Sequence, residues 1–303
     1  MKVSVIITTF KGENQIKRSV DSVLGQTYRD FELIVIDDNG LGTESQINTE
    51  KLLGKYISDG SLRYIAHEEN QNASVARNTG FKNSKGEYVM FLDDDDEYTP
   101  DRIEKQLAIL EGTDDSWGVS YCSSVKLEKN GKFFERVVAN KSGHLLYNVM
   151  MHRPIVTTSN MMIKRNAYES VGGFDESFRR HQDWEFAARL AEKYKFVAMK
   201  DVGLITHLEF RAIPKNPEMF KAFRENYLTK MEQQLNSLKP VLRKRVIAEN
   251  RYDIAMQYLK AEGFKGFMRE YKEIGMGYFG LEFLIRRFYY IINQRIRSKL
   301  FKS

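Results

Sequence analysis

The sequence predicts an α/β protein: a mixed, mainly parallel sheet flanked by helices, followed by a helical C-terminal extension. Three observations carry this. Before Pro100, short apolar runs of strand length alternate four times with segments of helical period. The connections between them are short, as in a parallel sheet with helices on its faces. Beyond Pro214 and Pro217 the strand-like runs stop, and the chain becomes helical and basic.

Taken in order, residues 3–8 form the first buried strand. The first helix, 12–25, carries Ile16, Val20, Val23 and Leu24 at helical spacing. Residues 31–36 make the second strand, which ends in Asp37-Asp38-Asn39-Gly40. A helix over 44–56, a strand over 62–66 and a helix over 74–83 follow. The fourth strand, 88–92, delivers Asp93-Asp94-Asp95-Asp96. Pro100 then opens a helix over 101–110, at a position where its missing N–H does no harm. Residues 118–127 and 132–138 read as a hairpin closed by Asn130-Gly131, and 156–163 as a further strand. A short helix over 166–171 is stopped by Gly172-Gly173, a firm helix spans 183–193, and a strand covers 196–199. These elements place one domain at 1–212 and a region of four candidate helices at 213–303.

Composition narrows the function. The 42% hydrophobic content is enough for a core in a chain of 303 residues. Cys122 is the single cysteine, which excludes an intramolecular disulfide framework and a cysteine zinc site and fits a reducing compartment. The first residues run directly into a strand without the pattern of a signal peptide. No charge-free apolar stretch approaches the roughly 20 residues that span a bilayer. The expectation is a cytoplasmic protein, soluble or peripheral on the inner face of the cytoplasmic membrane. Residues 211–303 hold 20 Lys and Arg against 9 Asp and Glu, whereas residues 1–210 hold 27 against 32. No nucleic-acid reading module accompanies the basic part, so an anionic membrane surface is the better partner. Leu281, Leu284, Ile285, Phe288 and Ile292 fall on one helical stripe with Arg286 and Arg287 beside it, the profile of an interfacial helix. A helix docked on its own domain, or on a second copy in a homo-oligomer, gives the same pattern.

The residues with chemistry sit where the strands end. Four adjacent carboxylates at the end of a core strand repel one another unless a cation joins them, and oxygen-only ligands suit Mg²⁺ or Mn²⁺. Open α/β sheets bind ligands at the carboxyl ends of their strands. There Asp38 can accept from a ribose or a base, although Asp-Asn-Gly is also ordinary turn chemistry. Thr8 to Gly12, with Phe10 in its middle, can hold the same base, and Arg77 on the third helix can reach a phosphate. Neither a Gly-x-Gly-x-x-Gly site nor a Walker lysine motif is present.

In order, these stretches are Thr8-Thr9-Phe10, Asp37-Asp38-Asn39, Ala76-Arg77-Asn78-Thr79-Gly80, Leu92-Asp93-Asp94-Asp95-Asp96, Gly172-Gly173-Phe174-Asp175-Glu176 and His181-Gln182-Asp183-Trp184-Glu185-Phe186. The series resembles glycosyltransferase family 2, inverting nucleotide-sugar enzymes of GT-A, Rossmann-like fold, over residues 1–210. The resemblance implies a metal-dependent enzyme that moves a sugar from a nucleotide diphosphate sugar, UDP-sugar above all, onto a hydroxyl. A bacterial surface saccharide or lipid-linked oligosaccharide is the implied acceptor. It places Asp38 at the uracil and ribose with Thr8 and Phe10 beside it. Asp93-Asp94-Asp95 becomes the Asp-x-Asp motif, with Asp93 and Asp94 beside the nucleotide and Asp95 on the metal. Asp183 becomes the base. His181 is an alternative base, His207 a further contact for diphosphate or metal, and Trp184 an apolar wall for a sugar ring. The Gln-x-x-Arg-Trp motif of the processive synthases is absent, which implies one sugar per binding event. Three alternatives remain open. A sugar-nucleotide nucleotidyltransferase wants a glycine-rich basic loop after the first strand, a glycoside hydrolase would pair Asp95 with Asp183, and a carbohydrate-binding module would need no metal.

Overall fold

The computed structural model describes residues 1–128, 130–152, 156–178, 180–208, 216–274, 281–282 and 285. The chain divides into two compact units, residues 1–211 and 212–303. The first unit begins with β1 (Val3–Thr9), α1 (Ile16–Leu24), β2 (Phe31–Asp37), α2 (Glu44–Ser58), β3 (Arg63–Ala66), α3 (Ala73–Lys82) and β4 (Tyr88–Asp93). The four strands pair in parallel in the order β3-β2-β1-β4. Helices cover both faces, so β1 and β4 are buried at nearly every position, with Ser4 the one polar residue inside the apolar run of β1. On one face Val3, Val5 and Ile7 pack with Ile16, Val20 and Val23 of α1. On the other, Gly80 of α3 lies so close to the sheet that an added Cβ would come within 2.3 Å of Ile6. The register sets Thr8 beside both Ile36 and Asp93, so the carboxyl ends of the central strands open at one level.

The sheet continues through β5 (Asp96–Tyr98), α4 (Arg102–Glu111), β6 (Trp117–Glu128), β7 (Phe133–Val137), α5 (Leu146–Met150), β8 (Met161–Lys164), α6 (Arg165–Ser170), α7 (Gln182–Lys193) and β9 (Lys195–Leu208). β8 runs antiparallel to β4 and joins it to β6, and β6 then pairs with β9 in parallel and with β7 as the expected hairpin. The result is the mixed α/β sheet flanked by helices that the sequence predicts.

Three details differ from the sequence reading. Residues 156–163 do not form one strand. Thr157 to Asn160 close a 3-10 turn in which Asn160 Oδ1 accepts from the Thr157 N–H at 3.0 Å, and only then does β8 begin. This polar run prefers local side-chain bonds to a strand ladder. β9 is far longer than 196–199, because the exposed Lys200 and Asp201 that interrupt its pattern are absorbed where the β6–β9 register shifts. β5 and α5 are too short to show a period.

The second unit contains α8 (Pro217–Lys230), α9 (Glu232–Ser237) and α10 (Pro240–Tyr271). Asn216 caps α8, accepting from the Glu218 and Met219 N–H groups at 2.9 and 3.1 Å. α10 is broken at Gly263, whose φ of 71° and ψ of −160° are far from helical. The turns on either side meet through Tyr252, Phe267 and Tyr271. No helix among the described residues is long and apolar enough to cross a membrane. Of the amphipathic stripe near the C-terminus, Leu284, Phe288 and Ile292 lie outside the described residues.

Candidate active site

A cleft of about 920 Å³ opens at the carboxyl ends of the parallel strands. Thr8, Phe10, Asp38, Arg77, the four aspartates 93–96 and Asp183 all line it, although they are scattered over the chain. Each is delivered by the end of a strand, the turn after it, or the first half of a helix.

The turn after β4 is pinned from behind by α1. Ser19 Oγ donates toward the carbonyls of Asp94 and Asp96 at 2.8 and 2.7 Å, and Arg18 Nη2 donates to the Asp95 carbonyl at 2.7 Å. With the backbone fixed, the four side chains diverge. Asp93, Asp95 and Asp96 bring ligand oxygens within 4.8 Å of one another. Asp94, expected beside the nucleotide, turns to β1, where its carboxylate accepts from Thr9 Oγ1 at 2.6 Å. Gly12 leaves the space for it, since a Cβ there would fall 1.9 Å from Asp94 Oδ2. Asp96, which the sequence offered only as one of four carboxylates and the resemblance gave no role of its own, is buried in the cluster beside Ser159 and Thr206. Burial, with Asp93 and Asp95 adding repulsion, holds its carboxyl well above the usual range. Three crowded carboxylates, one of them desolvated, suit a hard divalent cation.

His207 stands apart from this group. Its Nε2 meets the Glu97 carboxylate, which Arg18 Nε also approaches at 3.3 Å. The pair on β5 and β9 locks the sheet edge behind the aspartates. A carboxylate already facing its ring explains why it joins no acidic cluster among the described residues.

Arg77 lines the cleft with its guanidinium already engaged. It is buried, pairs through Nη2 with Asp93 Oδ1 at 2.7 Å, and lies over the Phe174 ring with its guanidinium carbon 5.3 Å from the centroid. Asp38 is likewise engaged. Oδ1 meets His67 Nδ1 at 2.7 Å and accepts from the Gln71 N–H at 2.9 Å. Oδ2 accepts from Asn70 Nδ2 and the Asn72 N–H at 2.9 and 3.0 Å. Two partners on each oxygen fill the acceptor sites of a carboxylate. Asp38 therefore shapes the loop between β3 and α3, including Asn72 at φ 85°, which caps α3. Thr8 lies at the end of β1 and Phe10 is exposed just past it.

Asp183 reaches the cleft from the first turn of α7. It keeps some exposure to the cleft, but burial pushes its carboxyl up to about 6. Arg77 works against that shift and Asp93 adds to it. A carboxyl poised near neutrality is suited to take a proton. The body of α7 is anchored by Phe186 on Phe174, ring centroids 4.1 Å apart, and by Arg189, which donates to the Gly173 carbonyl at 2.8 Å. Behind this anchor, Asn78 of α3 accepts from Tyr168 Oη and the Phe174 N–H, and donates to the Phe174 carbonyl and Glu176. The sequence reading also missed Thr158 and Ser159 as part of the cleft. Ser159 Oγ accepts from the Asp93 N–H at 3.1 Å. The one visible signal was the polar break at Thr157 to Asn160.

A mixed, helix-flanked sheet with this carboxylate-lined cleft at the carboxyl ends of its parallel strands is the architecture of a GT-A glycosyltransferase. The sequence pattern of glycosyl transferase family 2 matches residues 4–172, and the chain belongs to that family. Uncharacterized glycosyltransferases of Rickettsia are 29–33% identical over 60% of this chain, a match that spans only 26–56% of their own length. The amylovoran biosynthesis glycosyltransferase AmsB of Erwinia amylovora is 29% identical over 202 residues, 64% of this chain and 65% of AmsB. Among solved structures, S. aureus TarS in complex with UDP-GlcNAc superposes with a TM-score of 0.62 at 18% identity, covering 86% of this chain and 73% of that one. The mannosyltransferase PcManGT of Pyrobaculum calidifontis, in complex with GDP-Man and Mn²⁺, gives 0.60 at 17% identity, covering 98% and 82%. At these identities the superpositions show the fold.

Proposed function

We propose that residues 1–212 form a catalytic domain that moves one sugar from a nucleoside diphosphate sugar, UDP-sugar first, to a hydroxyl with inversion. The acceptor is a saccharide or lipid-linked oligosaccharide of a bacterial surface polysaccharide. The observation that carries the reading is that one cleft holds both the Asp93, Asp95 and Asp96 cluster and Asp183, whose carboxyl is raised to about 6. AmsB, named for amylovoran biosynthesis, and the nucleotide sugars in complex with TarS and PcManGT support it.

Asp95, with Asp93 and Asp96, would hold Mn²⁺ or Mg²⁺, which offsets the charge that gathers on a departing diphosphate. Thr8, Phe10 and the loop shaped by Asp38 would receive the nucleoside. Arg77 fixes Asp93 and keeps positive charge beside both carboxylate groups. Asp183 takes the acceptor's proton on the side of the sugar away from the diphosphate, as an inverting displacement requires.

A thermal-shift panel of nucleotide sugars with Mn²⁺ or EDTA tests this, since a ligand of the folded state raises the melting temperature by mass action. The expected result is a shift with UDP or a UDP-sugar that EDTA reduces. No shift with any nucleotide sugar would return the chain to the carbohydrate-binding alternative.

A further inference from the structure

Trp184, in the first turn of α7, is held between two imidazoles. The His181 ring stacks on it with centroids 4.0 Å and planes 11° apart, and the His152 ring lies 3.9 Å away at 35°. Two rings with both centroids that near one indole cannot lie side by side on a single face without overlapping, so they occupy opposite faces. Both faces of the indole thus meet protein rings, the packing role open to an aromatic on an amphipathic helix.

Both histidines have left-handed backbones, with φ of 52° at His152 and 60° at His181. That conformation is uncommon for a side chain with a Cβ and persists only where the surroundings impose it. Two such residues, 29 positions apart in sequence, converge on one ring. His181 is the N-cap of α7, and a ring contact stands there in place of a side-chain capping hydrogen bond. His181 and Trp184 are three positions apart, hence on one face of the first turn. His152 follows α5, which packs against α7. Further along, α7 is held through Phe186 and Arg189, and Arg189 also pairs with the buried Glu185 of the first turn. The sandwich packs on the same turn of α7 that carries Asp183, on residues flanking it in sequence.

We propose that His152, Trp184 and His181 form a positioning clamp that sets the direction in which Asp183 faces the cleft. The clamp rests on the reading of Asp183 as the base. The histidines act through the helix turn and touch no reacting atom. A small misdirection of a catalytic group costs up to about 100-fold in rate, and an opened clamp also admits water to the carboxyl.

The test uses His152→Asn, which tolerates the left-handed backbone but removes the stacked ring, and His152→Phe, which keeps an aromatic face. His181→Asn repeats the test from the other side. With melting temperatures checked first, the Asn variants are expected to lose about 10- to 100-fold in kcat, with KM for the nucleotide sugar and UDP affinity in Mn²⁺ within about twofold. The acidic limb of their rate profile should move toward lower pH. His152→Phe should restore most of the rate. Tryptophan emission supplies a readout independent of activity. In a Trp117→Phe background Trp184 is the remaining tryptophan, and its emission should move to the red in His152→Asn but not in His152→Phe. Unshifted emission in His152→Asn overturns the clamp. Full turnover by His152→Asn beside a crippled Asp183→Asn overturns the clamp and leaves the base in place. Full turnover by both variants overturns the base reading, and the clamp with it.

Discussion

At the scale of single residues, environment separates carboxylates that look alike in the sequence. Asp183 is raised to about 6 from an ordinary 3.8. Between those values the folded protein holds a proton that the unfolded chain releases, so metal-free stability falls as pH rises through that window. Asp183→Asn escapes this loss. Its melting temperature at pH 7.5 should equal or exceed that of the parent, with the advantage shrinking toward pH 4. Catalysis has the opposite sign, because the base must be ionised: kcat/KM should drop as pH falls through about 6, and Asp183→Asn should lose roughly 10²- to 10⁴-fold in turnover at neutral pH. The structure makes His181 the N-cap and sets Asp183 inside the first turn; near-parental turnover by Asp183→Asn would show that Asp183 has only a structural part there. For the metal cluster, Asp95→Ala relieves repulsion. The variant should fold normally, show no Mn²⁺-dependent rise in melting temperature with UDP, and have no turnover.

At the scale of elements, two side chains join segments that are remote in sequence. Asn78 of α3 makes three hydrogen bonds to Phe174 and Glu176 in the turn before α7 and a fourth to Tyr168 of α6. Asn78→Ala strands Tyr168 Oη and the Phe174 N–H in a buried setting and should cost roughly 2–4 kcal/mol, read by urea unfolding. Asp38 holds residues 67–72 by four partners, and Asp38→Ala should free that loop. Nucleotide affinity would then fall by a similar factor in Mn²⁺ and in EDTA, and limited proteolysis would cut the loop faster than in the parent. Unchanged affinity in calorimetry would mean that the loop takes no part in nucleotide binding. The same mutant separates a direct contact from a scaffold. Asp38→Asn cannot accept as many bonds and should resemble the Ala variant if the loop is what matters.

At the scale of the whole molecule, charge is divided between an acidic stretch and a basic one. If the basic region docks on an anionic membrane, the full chain should sediment with vesicles containing phosphatidylserine, release as salt shortens the Debye length, and ignore neutral vesicles. Equal sedimentation of a chain ending at residue 274 would move the contact away from the terminal stripe. The sequence by itself determined the alternation that makes a parallel sheet, the aspartate run at a strand end and the order of family stretches. All of these are local patterns of period, turn chemistry and spacing. It also showed which residues have chemistry to offer. Only the tertiary structure decided how they divide the work. Asp94 turned to Thr9 while Asp96 joined the cluster, since adjacent side chains past a strand end diverge as α1 pins the turn. Ser159 reached Asp93 because β8 pairs antiparallel with β4, a long-range register that no local period encodes. The elevation of Asp183 and the closing of His152 and His181 on Trp184 depend on packing between distant segments. Desolvation and ring contact exist only once those segments have met.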